Sequence, residues 1–363
     1  MPTRINIGPV HPSTHGVLRL VADVEGDTIT NLEPHIGFLH RGVEKLVETR
    51  MYMQSPPYME KLDYVAPLAM DDAYVATVEA ALGIEVKERA MYVRLIQLEL
   101  QRIASHLFFT GALCNDMGMM FTMFMWCFED RDRVLDLLAQ TTGQRMFYVS
   151  MRLGGVTLDL PPDFADNCNE FLDYMEKRLG AYENFMEKNP VFMERMKGVG
   201  VLTSQEAKDL GVTGPVLRAS GVPYDVRKAK PYYVYDKLHF EVQTDNRGDN
   251  LARYRVRIME IRESARLIRE ALRQIPEGDA KGMPVKLIGP AAKNRTVTVS
   301  RECPRGEAMM YMVADPQKPY RLSIRSPNFV NLSALPHMAK GHRLGDLFAI
   351  MGTLDLVMAC VDR

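Results

Sequence analysis

The residues whose types and spacing could do chemistry open the chain. His11-Pro12-Ser13-Thr14-His15-Gly16 sets two histidines four apart, broken by Pro12 and closed by Gly16. Pro12 lacks an amide hydrogen and pushes His11 out of the α region, while Gly16 allows a tight bend, so the pair cannot sit on a regular helix. An imidazole titrates near neutral pH, and on a loop beside a strand it can reach a cleft while a rigid element holds it. Two further polar groups interrupt apolar runs: Tyr64 in Leu62-Asp63-Tyr64-Val65-Ala66-Pro67, and Asp116 in Leu113-Cys114-Asn115-Asp116-Met117-Gly118. Together they make a possible His/Tyr/Asp site for proton transfer. The plainer alternatives are backbone capping in a β-hairpin for the histidines, amphipathic packing for Tyr64 and a helix-end cap for Asp116. No phosphate loop, nucleophile elbow or zinc-ligand quartet is present.

The elements that must position these groups follow from periodicity. Residues 3–35 read as two or three strands with a turn at Glu25-Gly26-Asp27, and Val17 to Val24 reads as one of them. A short helix is expected over Gly42 to Arg50, and a segment of mixed helical periodicity over Tyr58 to Leu82. The clearest helix runs from Val86 to about Thr110, with Arg94, Gln97 and Gln101 off its apolar stripe. Others cover Phe121 to Thr142, the span between Pro161-Pro162 and Pro190, and Gly248 to Gln274. The arginines of that last helix read as a solvated or subunit-facing surface. Leu217 to Phe240 looks irregular but ordered, and Pro276 to Arg295 is a surface connection. Strands at Thr296–Ser300, Met309–Val313 and Tyr320–Ile324 and a final helix over Leu344 to Met358 close the chain. Strands, a long helical middle, then strands give an α+β fold with a dominant bundle.

Composition narrows the classes. A chain of 363 residues with 47% apolar and 25% charged residues is an ordinary folded protein, larger than one core usually serves. A net charge of −1 argues against a general nucleic-acid binder. No apolar run approaches the roughly 18 residues of a membrane span, and a signal-peptide pattern is lacking. The five cysteines, Cys114, Cys127, Cys168, Cys303 and Cys360, form no Cys-x-x-Cys pair, which fits a reducing compartment. The methionine run Met117 to Trp126 reads as core or subunit contact.

Longer motifs carry a resemblance. Gly8-Pro9-Val10-His11-Pro12-Ser13-Thr14-His15-Gly16-Val17-Leu18-Arg19, Gly37-Phe38-Leu39-His40-Arg41-Gly42-Val43-Glu44-Lys45, Leu217 to Val222, Tyr224 to Lys228 and Val361-Asp362-Arg363 stand in one order. From about residue 4 to 363 the chain resembles the family of the D subunit of respiratory complex I and its deazaflavin- and ferredoxin-linked relatives. That family descends from the large subunit of nickel–iron hydrogenases, which implies the hydrogenase-like fold. A hydrogenase would hold its metals with two Cys-x-x-Cys pairs; here those positions read Asp63-Tyr64-Val65-Ala66 and Val357-Met358-Ala359-Cys360. One thiolate cannot hold the centre.

The resemblance implies a quinone headgroup site made by His15 and Tyr64, with Asp116 as the acid paired to His15 and His11 supporting the loop. Arg41 matches an arginine near the terminal 4Fe-4S cluster of the neighbouring B subunit, the alternative being an ion pair with Glu44 or a neighbouring chain. No metal or cluster is expected on this chain. A second family histidine falls at Phe147, and Met119–Met125 carries about one extra residue. The expected role is a peripheral-arm subunit of a proton-translocating, NAD(P)H- or other donor-quinone oxidoreductase, partnered by the complex I-type subunits B, C, I and H, the last of them in the membrane. It would lie on the cytoplasmic side of the membrane. Three regions are expected in one integrated unit: residues 1–50, 51–275 and 276–363. The rival is a scaffold subunit of a related redox complex with another acceptor.

Overall fold

A computed structural model of the chain describes residues 2–11, 16–284 and 294–363. His15 therefore lies outside the described residues, and of His11 only the backbone is described. The N-terminal segment forms β1 (Thr3–Ile7), β2 (Val10–His11), β3 (Gly16–Val17), β4 (Arg19–Glu25) and β5 (Thr28–His35). β1, β4 and β5 make an antiparallel sheet, with β4 in the centre. The run expected as one strand is split: Val17 pairs with Val10 in the β2–β3 hairpin, and β4 starts only at Arg19. Leu18 between them donates its amide to Pro9 O at 3.0 Å.

The helical middle begins with α1 (Val43–Glu48), α2 (Pro56–Met59), α3 (Pro67–Leu82) and α4 (Glu88–Asp116). α3 gave no clean stripe because it is buried nearly all round, Asp71, Asp72 and Glu79 included. α4 runs past Thr110 to Asp116, and its polar face is buried too: Arg94 pairs with Glu79 at 2.7 Å, and Gln101 Oε1 accepts the Leu68 amide at 3.1 Å. Gly111 allows the next helix to approach, since a Cβ there would lie 3.1 Å from the Phe128 ring. A π turn at Met120–Phe124 leads into α5 (Met125–Thr142). The departure at Met119–Met125 thus coincides with a wider helical turn.

After β6 (Met151–Arg152) and β7 (Gly155–Val156) come α6 (Phe164–Glu187), α7 (Pro190–Met196), α8 (Ser204–Asp209), α9 (Pro215–Ala219), α10 (Val226–Ala229) and α11 (Asn250–Gln274). Of the α11 arginines only Arg266 and Arg273 lie on the exposed surface expected of them. Arg253 and Arg257 are fully buried, while Arg255, Arg262 and Arg269 pair with Glu187, Glu183 and Asp173 of α6 at 2.7 Å each. The C-terminal part is an antiparallel sheet, β8 (Thr296–Cys303), β9 (Gly306–Ala314) and β10 (Pro319–Arg325), then α12 (Pro327–Leu332), α13 (Leu335–Ala339), α14 (Leu344–Leu354) and α15 (Met358–Val361). α14 stops four residues short of Met358 because Asp355 turns left-handed, at φ 56°.

Two large apolar cores result among the described residues, beside a small cluster of Ala219, Ala252 and Val256. The larger joins α3, α4, α5, α6 and α11 to the inner face of β8–β10; the second joins β1, β4 and β5 to α8, α9, α13 and α14. The tail threads between them. Leu354, Leu356, Met358 and Val361 pack into the second core, and Val357, Ala359 and Cys360 into the first.

Candidate functional site

Tyr64 sits in a short turn ahead of α3. Asp63 shapes that turn, its Oδ1 accepting the Ala66 amide at 3.2 Å just before Pro67 starts the helix. Asp63 is buried and reaches Arg305, which projects from the two-residue turn between β8 and β9. Arg305 Nη1 lies 3.2 Å from both Asp63 oxygens and 3.1 Å from Ser105 Oγ; its Nη2 donates to Asp355 Oδ1 at 3.0 Å and its Nε to the Asp355 carbonyl at 2.8 Å. That grip on Asp355 explains the left-handed residue that ends α14. A guanidinium with every nitrogen engaged is a rigid platform.

The Tyr64 ring is half-buried within the electrostatic reach of this platform, and its hydroxyl makes no hydrogen bond among the described residues. Burial pushes the phenol above its ordinary range, offset in part by Arg305. Tyr64 therefore stays protonated and offers a donor to a ligand. Burial also lifts the Asp63 carboxyl, opposed by Arg305 and reinforced by Asp355.

Asp116 ends α4, half-buried, with its carboxylate beside Gly352 of α14: a Cβ on Gly352 would lie 3.6 Å from Oδ2 and 3.1 Å from Leu113 Cδ1. Gly16, the last residue of the His11–Gly16 motif, presses on α15; a Cβ there would come within 2.8 Å of Met358 Cβ. Gly16 of the hairpin thus meets Met358, Asp116 meets Gly352, and the Tyr64 turn reaches Asp355 through Arg305, so all three are tied to one stretch, residues 352–358. His15 itself and its pairing with Asp116 lie outside the described residues.

Arg41 is exposed and donates to the Lys61 carbonyl at 2.8 Å, three residues before Tyr64. Its alternative partner Glu44 is engaged elsewhere, with the Ile324 amide at 2.8 Å and with Arg321 and Arg363 at 3.4 and 3.6 Å. The loop before Arg41 is fixed by the tail: Asp362 accepts the Gly37 and Leu39 amides at 2.9 and 2.7 Å. Phe147, where a family histidine was expected, has φ 58° and packs 5.3 Å under Lys61 Nζ; Val149, two residues on, has φ 37°. Side chains rarely adopt such angles, and the strain is compensated by the Val149 amide bond to Glu60 Oε1.

Cys360 is buried, 3.0 Å from Ser326 Oγ, and burial pushes its thiol up to about 11. A neutral thiol is a poor metal ligand. Among the described residues no three His, Cys, Asp or Glu side chains group as a metal site, and no helix is long and apolar enough to cross a membrane. Sequence reading missed Arg305 and Asp355. Asp63 was detectable as a charge beside Tyr64 inside an apolar run, but nothing local marks Arg305 or Asp355, which meet only in the fold.

The family model described as "Respiratory-chain NADH dehydrogenase, 49 Kd subunit" matches residues 116–298 and 283–363. The chain is 42% identical over 359 residues to the D subunit of NADH-quinone oxidoreductase from Desulforamulus reducens, covering 99% of this chain and 97% of the relative. It is 44% identical over 360 residues to the protein of the same name from Dehalococcoides mccartyi, covering 99% and 98%. Similarity extends to the H subunit of the chloroplastic NAD(P)H-quinone oxidoreductase of Marchantia polymorpha, 39% over 385 residues, with 100% and 98% covered.

Proposed function

The chain belongs to the respiratory-chain NADH dehydrogenase 49 kDa subunit family, and from that premise we propose that the Tyr64 turn forms one wall of a quinone-reduction site. The protein is a peripheral subunit of a complex I-type quinone oxidoreductase. Quinone reduction needs two electrons and two protons. In this reading the Tyr64 hydroxyl donates a hydrogen bond, then a proton, to one quinone oxygen, and His15, oriented by Asp116, serves the other. Burial keeps the Tyr64 proton on the phenol until a stronger base forms on the ligand. The observation that carries the reading is the convergence on residues 352–358 of the His15-bearing hairpin, the Tyr64 turn and the end of α4. A scaffold role is not favoured, since the relatives are named as quinone oxidoreductase subunits.

The finer assignments belong to the same proposal. Electrons arrive from a 4Fe-4S cluster of the neighbouring B subunit near Arg41, which is supported by Arg41 being exposed and tied to the Tyr64 turn through Lys61. Subunits C, I and H, the last of them in the membrane, complete the surroundings on its cytoplasmic face. Loss of the His15 proton leaves Asp116 unbalanced in a low-dielectric site, which starts the signal to the proton-pumping subunits. Residues 1–50, 51–275 and 276–363 act as one unit, as two cores shared across those boundaries support.

Tyr64→Phe in the membrane-bound complex tests the site. Reduction of a quinone analogue should fall by about a hundredfold or more, with the iron–sulfur clusters still fully reduced by the donor. Unaltered turnover would remove Tyr64 from the headgroup site.

A further inference from the structure

Where α4, α11 and the tail meet, four buried polar atoms have no protein partner among the described residues: His106 Nδ1, Arg257 Nε, Arg257 Nη2 and Asp355 Oδ2. Arg257 and Asp355 stand 3.9 Å apart, too far for a hydrogen bond. The Arg257 guanidinium lies 4.0 Å from the Phe109 ring centre, one turn along α4 from His106. One turn along α11 from Arg257, Glu260 bonds His106 Nε2 at 2.9 Å. Arg257 Nε thus faces Asp355 Oδ2 across a 3.9 Å gap, and the same guanidinium lies near enough to His106 to oppose protonation of its ring.

The polarities of the four atoms are complementary. Arg218, bonded to Glu260 at 2.8 Å, keeps that carboxylate ionised, so the imidazole proton sits on Nε2 and Nδ1 is an acceptor. Asp355 Oδ2 is a second acceptor; Arg257 supplies two donors. Water donates two hydrogen bonds and accepts two, and buried water commonly satisfies such groups. We propose that this junction holds at least one bound water that joins His106 and Arg257 to Asp355, and through it to the Arg305–Asp63 pair near Tyr64. His106 is then a positioning residue: it anchors the water, the water steadies Asp355, and Asp355 holds Arg305 near the phenol. The positioning role rests on the reading of Tyr64 as a quinone ligand; the water site does not.

A high-resolution map of the intact wild-type complex should show density within hydrogen-bond distance of His106 Nδ1 and Arg257 Nε. Its absence, with those atoms still unpaired, would overturn the water site whatever Tyr64 does. His106→Gln keeps a donor toward Glu260 but removes the Nδ1 acceptor, and His106→Asn does the reverse. In assembled complexes, His106→Gln should lose the water and lower kcat for a short-chain quinone analogue by about fivefold at unchanged KM, and His106→Asn should lose less. Wild-type kcat in His106→Gln after loss of the water would overturn the positioning role, as would equal losses in both variants. If Tyr64→Phe leaves quinone reduction intact, the Tyr64 reading fails while the density result still decides the water.

Discussion

Arg305 and His106 show how single residues set this molecule's properties. Arg305 is the cation between Asp63 and Asp355, all of them buried, so Arg305→Met should strand two carboxylates and cost about 3–5 kcal/mol. Thermal unfolding would measure the loss, and adding Asp63→Asn should recover part of it; full stability in the single variant would contradict the ion cluster. Burial, with Arg257 and Arg102 nearby, pushes His106 down to about 4 despite the pull of Glu260. Between the ordinary value near 6.5 and 4 the unfolded chain binds more protons, so His106 contributes stability that is full above 6.5 and lost as pH falls toward 4. Glu302, pushed up to about 7 by burial and Asp225, has the opposite sign: its contribution is full below 4.5 and lost as pH rises through 7. The two slopes oppose each other in wild type. In His106→Gln the opposing slope is gone while Glu302 and the burial-lifted carboxyls of Asp63, Asp71 and Glu60 keep theirs, so stability should rise as pH falls from 7 toward 4.5. A denaturation series across that range checks the sign.

At the scale of elements, the β2–β3 hairpin is placed by its contact with α15. Gly16 has φ 140° and its Cβ position is occupied by Met358. Gly16→Ala should therefore cost about 1–3 kcal/mol and lower quinone reduction by displacing the hairpin. Adding Met358→Ala should recover part of the activity by relieving the clash, though not the backbone strain. Activity in Gly16→Ala equal to wild type would show that the hairpin tolerates the shift. α4 works similarly: Gly111 lets α5 lie close on one side, and Gly352 of α14 lets Leu113 and Asp116 lie close on another. An amphipathic helix would have signalled its extent, but α4 is buried from Ala90 to Cys114 and its apolar stripe understates its length.

For the whole molecule, the tail is the common wall of both cores and the floor of the candidate site. Deleting residues 358–363 removes Met358 and Val361 from one core, Ala359 and Cys360 from the other, and the Asp362 bonds to Gly37 and Leu39. With each buried large apolar side chain worth about 1.5–3 kcal/mol, the truncated chain should fail to assemble into the complex. Native gels of membranes would show the full-length complex missing; normal assembly would mean the partner subunits hold the N-terminal lobe in place. The interior also carries a charged web: Arg218 with Glu260 and Glu302, Arg227 with Glu99 and Asp225, all buried. These residues lie partly in the motifs Leu217 to Val222 and Tyr224 to Lys228, so those motifs mark the interior rather than a surface.

Local rules were enough for much of this. Prolines before α6 and after it, and apolar spacing along α4, α6 and α11, set those helices within a few residues, and the end of α3 at Leu82 was placed though its start was not, because caps and stripes are short-range physics. The α+β class followed from their order. Tyr64 and Asp116 stood out because a polar group inside an apolar run is conspicuous, though their shared role came from resemblance and not from spacing. Three things were decided only by tertiary structure. α14 ended at Leu354 because Arg305, fifty residues away, captures Asp355. Arg255, Arg262 and Arg269 of α11 turned across to α6 because their carboxylate partners lie on that helix. The elements of the candidate site are tied to residues 352–358 because two cores close on the tail from either side. Short-range propensity can name a helix or a turn; which charges meet in the interior depends on how distant segments pack, and that is written in no single stretch of the chain.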